Sequence, residues 1–364
     1  METKKVALFL PSLVGGGAER VMLSLASEFA DQGHSVDLVL AKAKGEYLDQ
    51  VPANVHIVDL NASRVLYSLF PLIRYLKEHQ PNSVLSALNH TNIMAIAAVA
   101  LANVKAKTVV SIHSNLTQFS KVTKTRMVMR WIPPLMKWSF KRADKVVAVS
   151  QGVADDVIEH LQLPEEQVQV IYNPVVDDSL IQRANEPVDH PWFVSGEPPV
   201  LLAVGRLTSE KDFPNLIQAF ARLKEHHEAR LMILGEGEKR EELEVLIKKL
   251  GLTEHVQLPG FVDNPYAYMK RARLFVLSSS CEGLPTVLIE ALACGTEVVS
   301  TDCPSGPREI LDNGRHGSLV AIEDSEALFQ AMKERLDIPE AGSSSEAYEP
   351  FWKTNVSRQY LDIL

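Results

Sequence analysis

Residues 6–29 read VALFLPSLVGGGAERVMLSLASEF, and this stretch decides the fold. Its first five residues are all apolar, as in a strand that is covered on both faces. Three glycines follow at Gly15, Gly16 and Gly17, and beyond them apolar residues recur at the spacing of an amphipathic helix. A buried strand, a glycine-rich turn and a helix in this order predict the start of a βαβ unit in a parallel sheet.

The same alternation of strands and helices continues along the chain. In the first half we predict strands at 36–40, 55–60, 83–87, 108–112 and 145–150, and helices at 64–79, 91–103, 119–142 and 152–161. In the second half we predict strands at 200–204, 230–234, 256–258, 274–277 and 298–301, and helices at 214–226, 238–250, 264–271, 285–294 and 350–364. The predicted fold class is therefore α/β, with two Rossmann-like, doubly wound domains.

The boundary between the two domains is predicted where the composition changes. Residues 185–199 contain four prolines and are assigned to a linker. The N-terminal domain then spans 1–184, the C-terminal domain spans 200–345, and a last helix occupies 346–364. Two such domains facing a central cleft would place ligands at the carboxyl ends of both sheets.

Composition excludes several classes of protein. A chain of 364 residues that is 46% hydrophobic and 23% charged is neither disordered nor collagen-like. Its three cysteines form no Cys-x-x-Cys pair, which argues against a structural zinc site and is compatible with a reducing cytoplasm. The longest apolar run, 93–102, is too short to cross a bilayer, so we expect no integral membrane segment.

Charge is distributed unevenly along the chain. Residues 1–180 carry 18 Lys and Arg against 17 Asp and Glu, whereas the remainder carries 19 against 29. No acidic residue occurs from His79 to Ala143, although nine Lys and Arg do. This part of the first domain is therefore expected to face an anionic partner, such as a nucleic acid, an acidic lipid surface or a diphosphate-bearing acceptor.

One segment of that region combines cations with apolar aromatic residues. It contains the candidates for acceptor or membrane contact Lys121, Lys124, Arg126, Arg130 and Trp131. Such a segment suits the interface of an anionic membrane, and an ordinary amphipathic helix packed on the sheet is the alternative. No nucleic-acid-binding module surrounds it, which disfavours nucleic acid as the partner.

The glycine-rich turn is a candidate phosphate site. Gly16 and Gly17 permit close backbone approach, and the helix start offers free N–H groups to an anion. A turn that merely needs glycines is the alternative. Arg20 stands where the third glycine of a dinucleotide-binding fingerprint would be, so NAD binding is disfavoured.

Two cations lie five residues apart in the loop after the first strand of the second domain. Arg206, preceded by Gly205, suits bidentate contact with phosphate, and Lys211 acts as a point charge. Together they can grip one polyanion, whereas either residue alone would be read as solvated surface charge.

Two acids eight residues apart give the sharpest local signal. Glu282 precedes a predicted helix and Glu290 is expected about two turns inside it, so both can accept hydrogen bonds from one polyhydroxy ligand. Amides from Leu284 to Thr286, around Pro285, are available to phosphate oxygens at the helix start. The alternative makes Glu282 a partner of the helix dipole and Glu290 a surface acid.

Taken together, these motifs resemble the retaining GT-B glycosyltransferases of family 4. The resemblance covers nearly the whole chain in order, including Gly260-Phe261-Val262 and Gly306-Pro307-Arg308-Glu309-Ile310. It is similar in particular to bacterial members that extend lipid-linked oligosaccharides. The resemblance implies a nucleotide-diphosphate sugar donor, a glycan or lipid-diphosphate-linked acceptor, and no divalent metal or other cofactor. It also implies that the last helix crosses back to the N-terminal domain.

The resemblance also implies roles for individual residues. Arg206 and Lys211 would clamp the donor diphosphate, Glu290 would hold the ribose, and Glu282 would contact the transferred sugar. His113, after a strand of the first domain, would approach the reaction centre. The remaining donor-binding candidates are Gly16, Gly17, Gly205, Phe261, Val262, Leu284, Pro285, Thr286, Ser305 and Gly306. The acceptor candidates on the first domain are His90 and Asn92.

The sequence therefore predicts a cytoplasmic enzyme, peripheral on the inner face of the cell membrane. It would move a hexose or N-acetylhexosamine from a UDP-sugar to a glycan or lipid-linked glycan, with retention of anomeric configuration. Two alternatives stay open. A nucleotide-sugar 2-epimerase of the same fold would need no acceptor, and a non-catalytic protein would bind the nucleotide sugar or lipid without turnover.

Overall fold

The computed structural model of the chain describes residues 3–117, 132–339 and 342–364. It divides into two units, which are residues 1–174 with 353–364, and residues 175–352. Each unit has its own parallel sheet and its own hydrophobic core. The α/β class and the two Rossmann-like sheets predicted from the alternation of elements are therefore confirmed.

Most elements lie within a few residues of their predicted positions. The strands of the described residues are β1 (Lys5–Leu10), β2 (Ser35–Leu40), β3 (His56–Asp59), β4 (Ser83–Ala87), β5 (Lys107–Ile112), β6 (Lys145–Ala148), β7 (Val168–Val170), β8 (Val200–Val204), β9 (Arg230–Leu234), β10 (Val256–Gly260), β11 (Leu274–Leu277), β12 (Val298–Thr301) and β13 (Ser318–Val320). Their α-helices are α1 (Gly17–Asp31), α2 (Leu69–His79), α3 (Asn89–Ala102), α4 (Ile132–Phe140), α5 (Gln151–Leu161), α6 (Asp178–Ala184), α7 (Phe213–Leu223), α8 (Arg240–Lys249), α9 (Pro265–Arg271), α10 (Thr286–Ala293), α11 (Pro307–Ile310), α12 (Ser325–Asp337) and α13 (Lys353–Ile363).

The first unit is a parallel sheet with helices on both faces. Its strand order is β3-β2-β1-β4-β5-β6-β7. Val6, Leu8 and Leu10 of β1 enter a core that contains α1, whereas Ala7 and Phe9 face a second core with α2 and α3. Successive side chains of a strand point to opposite faces, so a strand covered on both sides must be apolar throughout.

The C-terminal helix α13 belongs to the first unit. Val356, Tyr360 and Leu361 pack into the core that contains α1. The Gln32 side chain at the end of α1 donates a hydrogen bond to Ser357 Oγ at 2.8 Å. The last dozen residues thus complete a core that the first thirty begin.

The second unit is a six-stranded parallel sheet in the order β10-β9-β8-β11-β12-β13. Leu201 and Ala203 of the central strand β8 face a core formed with Leu216 of α7 and Leu328 of α12. In both units the first strand along the chain lies inside the sheet, and the strand order reverses beside it. This reversal is where doubly wound folds bind ligands.

Two edge strands, β7 and β13, were not predicted. Each has three residues that are only partly buried. A run of three residues is too short to show a hydrophobic period. Their extended state comes from pairing with β6 and β12, which the local sequence does not record.

The division between the units differs from the predicted linker. We predicted a first domain over 1–184 and a linker over 185–199, but the division lies directly after Pro174. The segment that follows belongs to the second unit because α6 packs against α9. Lys270 Nζ also donates a hydrogen bond to Asn185 Oδ1 at 2.5 Å. The prolines mark an irregular segment that is attached to the second unit.

Candidate active site

The second sheet brings most of the predicted donor-binding residues, all except Gly16 and Gly17, to the carboxyl ends of its strands. Its six strands are parallel, so their carboxyl ends share one edge of the sheet. Arg206 follows β8, Phe261 follows β10, Glu282 follows β11 and Ser305 follows β12. Four loops that are distant in sequence therefore contribute to one region of the second unit.

Lys211 and Glu282 form an ion pair in this region. Lys211 Nζ lies 2.6 Å from Glu282 Oε1, and the side chains are 20% and 14% exposed. Ser279 Oγ donates to the same carboxylate oxygen at 2.7 Å, and Ser278 Oγ donates to the Lys211 carbonyl at 2.8 Å. These hydrogen bonds hold a cation and an acid side by side beyond the carboxyl ends of β8 and β11.

Two glycines, Gly205 and Gly235, lie in close contact with the loop that carries Lys211. A Cβ atom on Gly205 would lie 3.2 Å from Lys211 Cε. On its other side, a Cβ on Gly235, whose φ is 138°, would lie 2.0 Å from the Gly205 carbonyl oxygen. Gly235 is therefore required by the close backbone contact between the two loops, whereas a Cβ on Gly205 would displace the Lys211 side chain only slightly.

The loop at Ser305 and Gly306 packs directly against the start of α10. Gly306 has a φ of 99°, and a Cβ there would lie 2.5 Å from Pro285 Cδ and 3.1 Å from Leu284 Cα. Ser305 also has a positive φ, 72°, and its Oγ is buried without a hydrogen-bond partner among the described residues. Strained backbone beside a helix start is a frequent feature of ligand sites.

Glu290 is buried inside α10. The helix begins at Thr286, so Glu290 lies about one turn inside it and not the two turns that we predicted. Its exposure is 4%, which excludes the reading of a surface acid. Burial, with a further contribution from the Glu290 charge, raises the pKa of the Cys294 thiol to about 12.

Arg206 and Phe261 remain open to solvent. Phe261 is 77% exposed, its neighbour Val262 is partly buried, and the Arg206 side chain forms no ion pair within the described ranges. Hydrogen bonds within its own loop lower the pKa of Glu210, and the charges of Arg206 and Lys211 lower it further. The loop after β8 therefore presents two cations and an ionised acid.

In the first unit, His113 directly follows β5. Its Nε2 lies 2.9 Å from Ser111 Oγ, and Ser111 Oγ lies 3.4 Å from Tyr360 Oη of α13. Burial lowers the pKa of His113 to about 4. The imidazole is therefore neutral near pH 7 and can form hydrogen bonds without carrying charge.

The two acceptor candidates at the start of α3 differ in position. His90 is exposed, whereas Asn92 is fully buried. Asn92 Nδ2 donates to the Ser111 carbonyl at 2.9 Å. Asn92 thus supports the strand that carries His113, and His90 is the more accessible of the two.

A buried acid that the sequence did not indicate as part of the site lies in the first turn of α1, beside the glycine turn. Gly16 precedes α1 and Gly17 begins it. Glu19 is 7% exposed, and its Oε2 lies 2.0 Å from the point that a Cβ on Gly16 would occupy. A carboxylate there interacts favourably with the helix dipole. A phosphate at these amides would meet that negative charge, so the carboxylate must move for an anion to bind.

Other residues of the two candidate sites were not predicted because no local sequence pattern marks them. Tyr360 meets Ser111 across 249 positions of sequence, and no pattern predicts that contact. The serines beside Lys211 and Glu282 carried a weak signal, because Ser278, Ser279 and Ser280 directly follow a buried strand.

Several predictions fall outside the described residues. They concern the basic segment with Lys121, Lys124, Arg126, Arg130 and Trp131, together with most of the helix predicted over 119–142. Within the described ranges, no group of three or more His, Cys, Asp or Glu could hold a metal ion. No helix there is long and apolar enough to span a bilayer.

Family models match both units. Residues 15–179 match the model described as Glycosyltransferase Family 4, and residues 188–348 match Glycosyl transferases group 1. The chain belongs to the family-4 type of glycosyltransferases and has their GT-B architecture of two parallel-sheet domains. It is a glycosyltransferase.

Two bacterial glycosyltransferases are among the relatives of this chain. The chain is 30% identical to the N-acetylgalactosamine-N,N'-diacetylbacillosaminyl-diphospho-undecaprenol 4-alpha-N-acetylgalactosaminyltransferase of Campylobacter jejuni, over 92% of this chain and 90% of the relative. It is 27% identical to the amylovoran biosynthesis glycosyltransferase AmsD of Erwinia amylovora, over 88% and 86%. Among solved structures, Anabaena HepE in complex with UDP and glucose has a TM-score of 0.78 at 20% identity, over 99% of this chain and 98% of that one. That likeness concerns the fold.

Proposed function

We propose that the protein transfers a hexose or N-acetylhexosamine from a UDP-sugar to a lipid-linked glycan, with retention of anomeric configuration and without a divalent metal. The observation that carries the proposal is the Lys211–Glu282 ion pair at the ligand edge of the second sheet. A cation and an acid held side by side match a donor whose diphosphate is bonded directly to a sugar.

The positions of the side chains support the donor-binding roles that the family resemblance implies. Arg206 is exposed and free to contact a diphosphate, and Lys211 lies in the same loop. Glu282 would accept hydrogen bonds from the sugar, and the buried Glu290 would hold the ribose. Phe261, 77% exposed after β10, would offer its ring and backbone to the base.

In the proposed mechanism, the cations stabilise the transition state more strongly than they stabilise the bound donor. As the glycosidic bond breaks, negative charge grows on the leaving diphosphate, and Arg206, Lys211 and the first amides of α10 stabilise it. The acceptor hydroxyl attacks the face that the diphosphate leaves, and the leaving phosphate oxygen takes its proton. Glu282 holds the sugar in a reactive orientation. No protein side chain needs to serve as the base.

The proposed acceptor and donor rest on the relatives. The Campylobacter relative is named for a diphospho-undecaprenol acceptor, and HepE was solved with UDP and glucose. The absence of acidic residues between His79 and Ala143 in this chain is consistent with an acceptor that carries a diphosphate. A chelator should leave turnover unchanged, because the cationic side chains supply the charge that a metal would supply.

The test is a nucleotide-sugar panel with a lipid-diphosphate-linked glycan as acceptor, scored by nucleotide release and by proton NMR of the new anomeric centre. We expect acceptor-dependent release from a UDP-sugar, with retained configuration and no effect of EDTA. Inverted configuration, or loss of activity on chelation, would overturn the corresponding part. Formation of a free epimer without transfer would favour an epimerase instead.

We further propose that the first unit docks on an anionic membrane at the cytoplasmic face. Leu66, Tyr67 and Phe70 are 65%, 58% and 79% exposed in the segment before and at the start of α2. On α4, Trp138 is 59% exposed, and the Arg142 guanidinium lies 3.9 Å from its ring centroid. Large exposed apolar side chains beside cations suit a lipid headgroup layer.

This docking is tested by co-sedimentation with vesicles of phosphatidylglycerol and phosphatidylethanolamine. Phe70→Ser should reduce binding several-fold while thermal stability stays unchanged, because the side chain is 79% exposed. Val245→Ser is the matched control, since Val245 is 68% exposed on the second unit. Equal binding of wild type and Phe70→Ser would contradict the proposal.

A further inference from the structure

Buried hydroxyl groups connect His113 to the C-terminal helix. Ser111 Oγ lies 2.9 Å from His113 Nε2 and 3.4 Å from Tyr360 Oη. Ser111 is 1% exposed and Tyr360 is 0% exposed. Within the described ranges, Ser111 provides the sole hydrogen-bond partner of the Tyr360 hydroxyl. The direction of these two hydrogen bonds decides which ring nitrogen of His113 carries the proton.

Only one direction of hydrogen-bond donation gives both hydroxyl protons, those of Tyr360 and Ser111, an acceptor. If Tyr360 donates to Ser111, then Ser111 can donate to His113 Nε2, and both protons have acceptors. In the reverse direction His113 Nε2–H donates to Ser111 and Ser111 donates to Tyr360, which leaves the phenol proton buried without an acceptor. Buried donors are rarely left unpaired because they lose water without compensation. A phenol is also a better donor than an aliphatic alcohol and a poorer acceptor.

The remaining proton of the imidazole is then placed at Nδ1. Burial lowers the pKa of His113 to about 4, so the ring carries a single proton near neutral pH. With Nε2 accepting from Ser111, that proton must be on Nδ1. No hydrogen-bond partner of Nδ1 occurs in the described part of the chain. Asn92 Nδ2, which donates to the Ser111 carbonyl at 2.9 Å, helps to hold Ser111 in place.

We propose that Tyr360 is a positioning residue that acts through Ser111 to fix His113 as the Nδ1–H tautomer. His113 then presents a hydrogen-bond donor to its ligand and cannot take a proton from the acceptor hydroxyl at that atom. The role in transfer rests on the proposed function, whereas the tautomer does not. The C-terminal helix thereby contributes to the chemistry of the first unit as well as to its core.

The test is nitrogen-15 NMR of histidine-labelled protein near pH 7.5, with the His113 signals assigned by their loss in His113→Gln. In the wild type we expect Nδ1 in the protonated shift range and Nε2 in the unprotonated range. Tyr360→Phe should lower the ratio of the Nδ1–H tautomer to the Nε2–H tautomer about tenfold. Without the tyrosine hydroxyl as a donor, Ser111 can accept a hydrogen bond from His113 Nε2–H instead. Ser111→Ala should move His113 to the Nε2–H form that free histidine favours.

Tyr75→Phe is the matched control, since Tyr75 is another buried tyrosine of the first unit and donates to Asp37 Oδ2 at 2.5 Å. It should leave the His113 signals unchanged. A protonated Nε2 in the wild type would overturn the proposal, and so would an unchanged tautomer in folded Tyr360→Phe. If Tyr360→Phe does not fold, an unchanged tautomer in Ser111→Ala overturns it.

Kinetics separate the positioning role from the function itself. Tyr360→Phe should lower kcat for transfer about tenfold, with little change in KM for the donor nucleotide sugar. An unchanged kcat together with an altered tautomer would overturn the role in transfer. A wild type without any transfer activity would contradict the proposed function and leave the NMR result standing.

Discussion

At the scale of single residues, the proposed donor site is built from side chains that come from separate loops of the second unit. Arg206, Lys211 and Glu282 follow strands, and a parallel sheet brings such loops to one edge. The ion pair between Lys211 and Glu282 joins side chains 71 positions apart. Sequence spacing predicts which loops meet but does not fix the rotamers that decide which atoms touch.

His113 gives a prediction on acid stability. In the unfolded chain it takes up a proton near its ordinary pKa of 6.5, whereas the folded protein takes it up only near 4. Protonation therefore favours the unfolded state, and stability falls as the pH drops from about 6.5 to 4. His113 as a whole is only partly buried, which limits this contribution to about 1–3 kcal/mol.

The measurement is the free energy of urea unfolding as a function of pH. His113→Gln should lose less stability than the wild type between pH 6.5 and 4, and the two curves should run parallel above pH 7.5. His34 also has its pKa lowered by burial, but it is common to both proteins and cancels in the difference. Parallel curves over the whole range would show that His113 titrates normally.

At the scale of elements, the buried strands were predictable, whereas the three-residue edge strands β7 and β13 were not. β1 and β8 are apolar runs that are nearly completely buried, and their sequence shows it. β7 and β13 depend on their neighbours in the sheet. The proline-rich segment 185–199 was assigned to a linker because composition reveals irregular backbone but not the unit that it contacts.

The contact between the loop at Gly306 and the start of α10 predicts a defined loss of donor binding. Gly306→Ala places a Cβ 2.5 Å from Pro285 Cδ at a φ of 99°, so the loop must move away from α10. We expect UDP affinity to fall at least tenfold. Gly314→Ala is the control, because Gly314 also has a φ of 99° but a Cβ there meets nothing within 4 Å.

Both variants carry similar backbone strain, about 1 kcal/mol, and should show similar small losses of thermal stability from that source. Isothermal titration calorimetry with UDP then separates the two. Equal UDP affinity in Gly306→Ala and Gly314→Ala would show that the contact with α10 does not shape the donor site.

At the scale of the whole molecule, the two units are expected to respond to different ligands. The second unit carries the loops proposed to bind the nucleotide, and the first carries the exposed residues Leu66, Tyr67 and Phe70. In hydrogen exchange, UDP should protect peptides covering 205–211 and 282–290. Anionic vesicles should protect peptides covering 66–70, less so at high salt because charge attraction is screened.

Protection of 66–70 by UDP alone, or of 282–290 by vesicles alone, would contradict this assignment of ligands to units. The basic stretch of the first half is the reason for assigning the membrane to the first unit. A chain with a net charge of −9 would not otherwise be expected to approach an anionic surface.

The central claim is that Arg206, Lys211, Glu282 and Glu290 form one site for an activated sugar nucleotide, and UDP affinity measured by calorimetry tests it most directly. Arg206→Ala should weaken UDP binding about tenfold to hundredfold, as expected for loss of charge-assisted hydrogen bonds. Arg222→Ala, which removes an arginine that pairs with Glu326 on the same unit, should leave it unchanged. Equal UDP affinity in the wild type and Arg206→Ala would contradict the account.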